Sequence, residues 1–414
     1  MKIFIIAYAC DPNRQSEPGL GWNISREIAR RHEVMLVTRE KNRAIFEKYL
    51  AEHPECPHAR TKFLYHDTNG FLRKFKDWIP FGTQLYFSNW LKTAALRYGK
   101  EMAGCDVVHQ LTFCPFFICP WGADKSDKFV WGPVGGGGGP YVRFGKEFLK
   151  REPLKVRLRE FVYQVLWWWI EKSPFGAGFR ATRRKAKAVA FKATAFSEGY
   201  EKAPGQVVAI ARETGYAGEF KSRTYLTEVH PLKIITVGRM IASKAFGYAI
   251  RSFAEYVKRG GEGTFTILGD GELRKELERL AVECGVGGKV VFAGNVPNAK
   301  VHEMLDSSDI FFFPSFSEAT SWALLEAMIH GLPIVCHNRS GMADIVTQEC
   351  GTAVTTESPD AIVGMYAEAL LDYYGHPEKI AAHGSGAVER IKSHYSWDSV
   401  GRQFDAIYKE VAGK

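Results

Sequence analysis

Short apolar runs alternate along the chain with segments of helical periodicity. Residues 2–9 predict a buried strand, residues 22–31 carry the apolar spacing of a helix, and residues 33–38 predict a second strand. Further strands are predicted at 106–108, at 128–131 and at 189–196, the last of which would close a first sheet. Strands that alternate with helices are typical of parallel sheets covered by helices on both faces.

A second array of the same kind begins after Pro204 and Gly205. Its predicted strands are 232–237, 264–268, 290–293, 310–314 and 333–336, and its predicted helices are 245–259, 273–284, 301–305 and one that ends at Gly331. We therefore predict an α/β protein of two Rossmann-like domains that face a cleft, with residues 1–203 and 204–396 as the domains. Ligands of such sheets bind at the carboxyl ends of strands, so the loops that follow strands are the candidate sites.

Length and composition agree with this organisation. A chain of 414 residues exceeds what one core usually fills, and no run approaches the ~20 apolar residues that cross a bilayer. The first apolar run is too short for a secretory signal, so we expect a strand there. Eight cysteines occur without a C-x-x-C pair, which predicts a reducing, cytoplasmic location and no metal site.

The net charge of +9 belongs to one segment of the chain. Residues 143–192 contain 14 Lys and Arg but 4 Asp and Glu, and the same segment holds Trp167, Trp168 and Trp169. Apolar residues recur there at helical spacing: Leu154, Leu158, Phe161, Val162, Val165 and Trp169. Such a helix could lie in an anionic membrane surface. The alternative is a core helix whose charged residues face solvent. No nucleic-acid partner is predicted.

The densest group of chemically useful residues lies between 313 and 335. The order predicts a strand, a polar loop, a helix capped by Thr320 or Ser321, and a stop at Gly331. The start of that helix is an anion site next to the end of the strand. Glu318 and Glu326 lie before and within the helix, where carboxylates suit recognition of vicinal sugar hydroxyls. Taken alone, the two residues also have a purely structural interpretation, with Glu318 as a loop carboxylate near a helix start and Glu326 as a solvated helix residue.

The whole 313–335 string closely resembles the E-x7-E block of family 4 glycosyltransferases, including its E-A-M-x-x-G-x-P continuation. Upstream, Gly238, Arg239 and Lys244 follow a strand and resemble the G-R-x4-K element of the family. An arginine fork and a lysine charge neutralise a departing diphosphate without a metal. The G-x-G turn at 269–271 and the stretch 291–297, which resembles the part of the family that holds the nucleobase, lie between these elements.

The resemblance extends from Lys2 to about Trp397 and implies the GT-B arrangement, with residues 397–411 returning to the first domain. The sequences of residues 16–22 and 132–137 resemble those of a branch of the family that builds bacterial polysaccharides. Two stretches depart from the family pattern: Ala319 to Trp322 replaces a Gly-Phe-Gly-like run, and Ser340 to Asp344 replaces Gly-Gly-x-x-Glu. These departures leave the donor sugar open.

The resemblance implies transfer of a hexose, with retention, from a nucleotide diphosphate sugar to a hydroxyl acceptor without metal or other cofactor. Glu318 and His109 would contact the donor sugar, Arg239 and Lys244 the diphosphate, and Glu326 the ribose. The other implied donor-binding residues are Gly19, Gly21, Gly238, Gly271, Val296, Ser321, Trp322 and Ala323. The expected acceptor is a saccharide or lipid-linked saccharide at the inner face of the cell membrane. A family member acting on a small acceptor and a catalytically silent GT-B binding subunit remain alternatives.

Overall fold

The computed structural model describes every residue except 15, 69–81, 137–143, 217, 219, 221 and 222. The chain divides into two compact units. The first unit comprises Met1–Gly139, Gln164–Gly215 and Trp397–Lys414, and the second comprises Pro140–Tyr163 and Tyr216–Ser396. The predicted boundary at residue 203 is therefore wrong by about a dozen residues, and the insertion of residues 140–163 into the second unit was not predicted.

The first unit is built on a parallel seven-stranded sheet of order β3-β2-β1-β4-β5-β6-β7. Its strands are β1 Lys2–Ile6, β2 Glu33–Thr38, β3 Lys62–Tyr65, β4 Val107–Gln110, β5 Phe129–Val134, β6 Ala188–Phe191 and β7 Val207–Ile210. The helices up to the start of the second sheet are α1 Ser16–Ala29, α2 Arg43–Glu52, α3 Gly82–Arg97, α4 Gly99–Ala103, α5 Lys146–Lys150, α6 Leu154–Glu171, α7 Ala177–Arg184 and α8 Thr194–Ser197. Of these, α5 and the first ten residues of α6 group with the second unit.

The second unit is built on a parallel six-stranded sheet of order β10-β9-β8-β11-β12-β13. Its strands are β8 Leu232–Val237, β9 Gly263–Leu268, β10 Val290–Gly294, β11 Ile310–Phe313, β12 Ile334–His337 and β13 Gly351–Val354. Its helices are α9 Phe246–Lys258, α10 Arg274–Glu283, α11 Asn298–Asp306, α12 Trp322–Ile329, α13 Met342–Ile345, α14 Ala361–Gly375 and α15 Pro377–His394, and α16 Trp397–Ala412 follows in the first unit.

Strands that are buried on both faces explain the apolar runs of the sequence. All four residues of β11, Ile-Phe-Phe-Phe, are buried, as parallel sheets covered by helices require. In each sheet the strand order reverses beside the first strand, between β1 and β4 and between β8 and β11. Ligands of open α/β sheets bind outside the carboxyl ends of the strands at such a reversal. The loops after β8 and β11 therefore form the candidate ligand-binding edge of the second sheet.

The last helix, α16, packs on α1 within the first unit. Arg31 and Asp398 form an ion pair, and a Cβ at Gly401 would lie 2.8 Å from Cβ of Glu27. Phe404 and Tyr408 of α16 contact the ring of His109 in β4. The structure thus places this helix on the first unit. None of the helices in the described part of the chain is long and apolar enough to cross a bilayer.

Several elements differ from the prediction. Strands β3, β7 and β13 were not predicted, and the predicted strand at 189–196 ends at Phe191 and continues into the short helix α8. Helix α1 begins at Ser16 instead of residue 22. The segment 16–21 is therefore helical, although its proline and two glycines favour a loop.

Candidate active site

The loops at the carboxyl edge of the second sheet are tied together through their backbones. The N–H of Gly269 donates to the carbonyl of Gly294 at 2.8 Å, and the N–H of Met240 donates to the carbonyl of Asp270 at 2.9 Å. A Cβ at Gly269, whose φ is +114°, would lie 2.2 Å from the oxygen of Gly238, and one at Gly271 would lie 2.5 Å from the oxygen of Met240. Glycine at 269 and 271 therefore lets the loop after β9 lie directly against the loop after β8.

Lys244 and Glu318 form an ion pair at this edge. Lys244 ends a 3-10 turn at Ala242–Lys244, and its side chain is 13% exposed against 23% for Glu318. The ammonium also lies 5.2 Å from the centre of the Phe313 ring at the end of β11. Arg239 is exposed and forms no ion pair with any described residue. A shielded cation and an exposed one thus follow the same strand.

The loop that carries Glu318 is held from two sides. The hydroxyl of Ser340 and the N–H of Gly341 both donate to the carbonyl of Glu318, at 2.8 and 2.7 Å. On the other side, the N–H of Phe316 donates to the carbonyl of Ser243 at 2.9 Å, next to Lys244. A Cβ at Gly341 would lie 1.7 Å from the oxygen of Ala319. The Ser-Gly sequence at 340–341 therefore fixes the backbone of the Glu318 loop.

Helix α12 begins directly after this loop. Ser321 is its N-cap residue with extended backbone, but its side chain makes no capping hydrogen bond, contrary to the predicted cap. Trp322 and Ala323 form the first turn, whose N–H groups lie at the positive end of the helix dipole. Burial raises the pKa of Glu326, and the nearby His302 opposes this rise. Glu326 is half-buried, not a solvated helix residue.

A chain of hydrogen bonds that the sequence did not predict joins α11 to the end of α12. Nδ1 of His330 lies 2.5 Å from the Asp306 carboxylate, and Nε2 of His330 lies 2.8 Å from Nδ1 of His302. The amide of Asn298 donates to Nε2 of His302 at 3.1 Å. His330 thus lies between the carboxylate of Asp306 and the ring of His302. The chain holds the start of α11, just after Val296, to the helix that carries Glu326.

His109 is closed off from solvent. It belongs to β4, is fully buried, and uses both ring nitrogens: Nε2 lies 2.7 Å from the carbonyl oxygen of Gly132 and Nδ1 lies 2.6 Å from the hydroxyl of Tyr408. Because Nε2–H donates to the carbonyl, Nδ1 accepts the hydroxyl proton of Tyr408. Burial lowers the pKa of His109 to about 4. The predicted contact of His109 with the donor sugar is therefore wrong for this structure.

Gly19 and Gly21, which were predicted to bind the donor from a loop, lie in a helix instead. Both lie inside α1, where a Cβ at Gly19 would lie 2.1 Å from the oxygen of Arg14 and one at Gly21 would lie 2.0 Å from the oxygen of Ala9. These glycines let the helix pack on the chain that precedes it. Their evident role is structural.

A buried lysine at the carboxyl edge of the first sheet was missed. Nζ of Lys192 lies 2.6 Å from the Glu213 carboxylate and 3.6 Å from that of Glu17, whose other oxygen accepts the N–H of Phe113 at 2.9 Å. Burial opposes the charge of Lys192, but attraction by Glu213 and Glu17 outweighs it and raises the pKa of Lys192. Only the fold brings these residues together. Among the described residues, no group of three or more His, Cys, Asp or Glu is placed to hold a metal ion.

We expect the protein to lose stability in acid because two histidines, His58 and His109, are buried. Burial lowers the pKa of His58 to about 3 and that of His109 to about 4. Because the unfolded chain takes up these protons first, from about pH 6.5 downward, stability should fall between pH 6.5 and 4 by about 1.4 kcal/mol per pH unit for each ring. Thermal midpoints measured at pH 7.5, 6 and 5 test this. The variant His58→Gln should show a shallower decline than the wild type; an equal slope would contradict the assignment.

The geometry can now be compared with known proteins. Residues 219–385 match the family described as Glycosyl transferases group 1. An uncharacterized glycosyltransferase of Methanocaldococcus jannaschii is 32% identical over 177 residues, 42% of this chain and 44% of that protein. The amylovoran biosynthesis glycosyltransferase AmsK of Erwinia amylovora is 32% identical over 122 residues, 28% of this chain and 30% of that protein. The chain thus matches less than half the length of either relative.

The fold is shared over the whole chain with solved structures. Sucrose-phosphate synthase from Thermosynechococcus elongatus, at 15% identity, has a TM-score of 0.58 and covers 100% of this chain and 99% of its own. Together with the two parallel sheets, this confirms the predicted fold class of two Rossmann-like domains, the GT-B fold. The matched residues 219–385 include Arg239, Lys244, Glu318 and Glu326. The stretch that is similar to the glycosyl transferases group 1 family therefore lies within the second unit of the chain.

Proposed function

We propose that this chain is a retaining glycosyltransferase that moves a hexose from a nucleotide diphosphate sugar to a hydroxyl acceptor. The observation that carries the proposal is the Lys244–Glu318 pair, which lies where the order of the second sheet reverses. A cation and a carboxylate at this edge suit a ligand that has both a diphosphate and sugar hydroxyls. The group 1 domain over residues 219–385 supports the same reaction class.

The charges of the site suit a departing diphosphate. Lys244 and the exposed Arg239 supply positive charge, and the first turn of α12, with Ser321, Trp322 and Ala323, adds backbone N–H groups. The ammonium of Lys244 is paired with Glu318. Donor binding would place phosphate oxygens near this ammonium and give the carboxylate of Glu318 sugar hydroxyls to accept from. The carboxylate of Glu318 therefore compensates the partly buried cation of Lys244.

In the proposed reaction, the acceptor oxygen forms a bond to the anomeric carbon while the bond from that carbon to the diphosphate breaks. The electron pair of the broken bond leaves with the nucleoside diphosphate. The proton of the acceptor hydroxyl passes to the departing phosphate oxygen on the same face, so the configuration is retained. This route needs no protein base and no metal ion.

The nucleoside half of the donor would lie along the edge formed by β8, β9 and β10. Glu326, half-buried on α12, would accept the ribose hydroxyls, and the backbone around Val296 would hold the base. Gly238 and Gly271 would line the donor from the loops after β8 and β9, and a Cβ at Gly271 would lie 2.5 Å from the oxygen of Met240, so this loop approach needs glycine. The Asp306, His330 and His302 chain would keep Glu326 and Val296 at a constant separation.

The proposed acceptor is a saccharide or a lipid-linked saccharide in cell-surface polysaccharide biosynthesis. The likeness to a protein of amylovoran biosynthesis supports this class. A transferase acting on a small free acceptor is the alternative, and it would work at full rate on a water-soluble saccharide without lipid.

A ligand screen tests the donor half of the proposal. The melting temperature should rise with one of UDP, GDP or ADP or its sugars, because a ligand at 100 times its Kd stabilises the folded state by about 2.7 kcal/mol. The rise should persist in EDTA, and Glu326→Gln should reduce it while leaving the ligand-free melting temperature near that of the wild type. If no nucleotide raises the melting temperature, the proposed function is wrong.

A further inference from the structure

Helix α6, Leu154–Glu171, exposes a continuous apolar face. At 100° per residue, seven large apolar side chains fall within a stripe of about 120° along one side of the helix. Every one of them is exposed: Leu154, Leu158, Phe161, Val162, Val165, Trp168 and Trp169. The individual exposures reach 67% for Leu154 and 60% for Phe161. We call this set the α6 apolar face.

The opposite side of α6 attaches it to the protein. Glu160 and Ile170 are buried, and Val156 packs against the core of the second unit. The helix is therefore held in place by one side while its more apolar side faces solvent. Of the two interpretations left open by the sequence, the structure contradicts the core helix, because the predicted apolar stripe points away from the core.

The polar border of the α6 apolar face is cationic. Lys155, Arg157 and Arg159 are exposed on the same helix. Arg159 lies 3.7 Å from the buried Glu160, Lys155 lies 3.9 Å from Glu272, and Arg157 forms no ion pair with any described residue. The other carboxylate of the helix, Glu171, is paired with Arg183. The border lies in the segment 143–192, which carries 14 Lys and Arg against 4 Asp and Glu. The face thus combines Trp and Phe with an excess of positive charge.

We propose that the α6 apolar face inserts into the interfacial region of an anionic phospholipid bilayer, with the flanking Lys and Arg on the lipid headgroups. Tryptophans, a one-sided apolar stripe and basic flanks are the features of helices that lie in a membrane surface. The helix is about 27 Å long, so it lies along the surface and contributes the whole stripe. This docking goes beyond glycosyl transfer and does not depend on it.

A second copy of the chain fits the same face less well. Two copies that packed face to face would bring the cations of one border close to those of the other, which is unfavourable without intervening carboxylates. Anionic headgroups instead compensate Lys155, Arg157 and Arg159 while the acyl boundary takes the apolar side chains. Charge complementarity therefore favours the bilayer over the dimer.

Cosedimentation of the full chain with vesicles tests the proposal. We expect binding to vesicles of phosphatidylcholine with 30% phosphatidylglycerol, at least tenfold weaker binding to pure phosphatidylcholine, and weaker binding at high salt. The double variant Phe161→Ser, Val165→Ser should lose at least tenfold in binding to the anionic vesicles. The matched control Leu226→Ser, Val282→Ser removes side chains that are 59% and 71% exposed elsewhere and should bind as the wild type does.

The charge contribution is tested separately with Arg157→Gln, Arg159→Gln, which should weaken binding and reduce its salt dependence. Equal binding by the Phe161→Ser, Val165→Ser variant and the wild type would overturn the proposal, as would no binding to anionic vesicles. A concentration-dependent dimer that this variant abolishes would instead assign the face to a second copy. The nucleotide-induced rise in melting temperature should be the same in all these variants, so failure of docking and failure of the proposed function are distinguishable.

Discussion

Replacement of Lys244 by methionine is expected to lower kcat for glycosyl transfer by about 10²- to 10³-fold, the usual cost of removing one group that stabilises developing charge. Methionine keeps an unbranched apolar side chain but removes the ammonium, which lies 5.2 Å from the centre of the Phe313 ring. The charge on the leaving diphosphate would then be met by Arg239 and the start of α12 alone. The measurement is the rate of nucleoside diphosphate release with the donor found by the ligand screen.

The matched control is Lys258→Met, which changes an exposed lysine of the same unit that pairs with Glu255. It should leave kcat unchanged. Because Lys244→Met leaves Glu318 without its cation, its melting temperature is measured beside the rate, and Glu318→Gln with Lys244→Met removes the uncompensated charge. Wild-type activity in Lys244→Met would refute the catalytic role and favour a binding subunit with the GT-B fold.

The variant Gly341→Ala is expected to lose most of its activity and about 1–3 kcal/mol of stability. The backbone of Gly341 has an ordinary helical φ of −68°, so the effect is steric: the new Cβ would lie 1.7 Å from the oxygen of Ala319 and 2.6 Å from that of Glu318. The loop that carries Glu318 must move to make room. We expect kcat/KM for the donor to fall at least tenfold, measured beside the melting temperature.

Gly364→Ala is the control for this substitution. Gly364 lies within α14 of the same unit, and nothing lies within 4 Å of its added Cβ. Alanine there should stabilise the protein by about 0.5–1 kcal/mol and leave activity unchanged. If Gly341→Ala behaved in the same way, the backbone of the Glu318 loop would not be set by the Ser-Gly sequence at 340–341.

The fold class could be predicted because local signals specify it, and the same signals led to the residues proposed for the donor site. Strands β8 and β11 are apolar runs, and each is followed at once by the polar residues of the site. Parallel strands bring their carboxyl ends to one edge, so Lys244 and Glu318 meet although 74 residues separate them. The closeness of Lys244 and Glu318 follows from the alternation of strands and helices, not from any single residue.

The errors concern residues whose surroundings come from distant parts of the chain. A histidine near the end of a strand has the same local sequence whether it faces a ligand or the core. The hydroxyl that is hydrogen-bonded to Nδ1 of His109 belongs to Tyr408, 299 residues away. The partners of Lys192 likewise lie far away in sequence, Glu17 in the first turn of α1 and Glu213 in the loop after β7. Hydrophobic periodicity located the stripe on α6, but periodicity is identical for a stripe that faces the core and one that faces solvent.

The return of α16 to the first unit has a consequence for the order of folding during synthesis. The strands of the first sheet are synthesised early. The hydrogen bond from Tyr408 to His109 in β4 and the packing of α16 on α1 can form only after α16 has been synthesised. The second unit, Pro140–Tyr163 with Tyr216–Ser396, is already translated by then. Although translation usually lets N-terminal domains fold first, in this chain the unit that begins first is the one that is finished last.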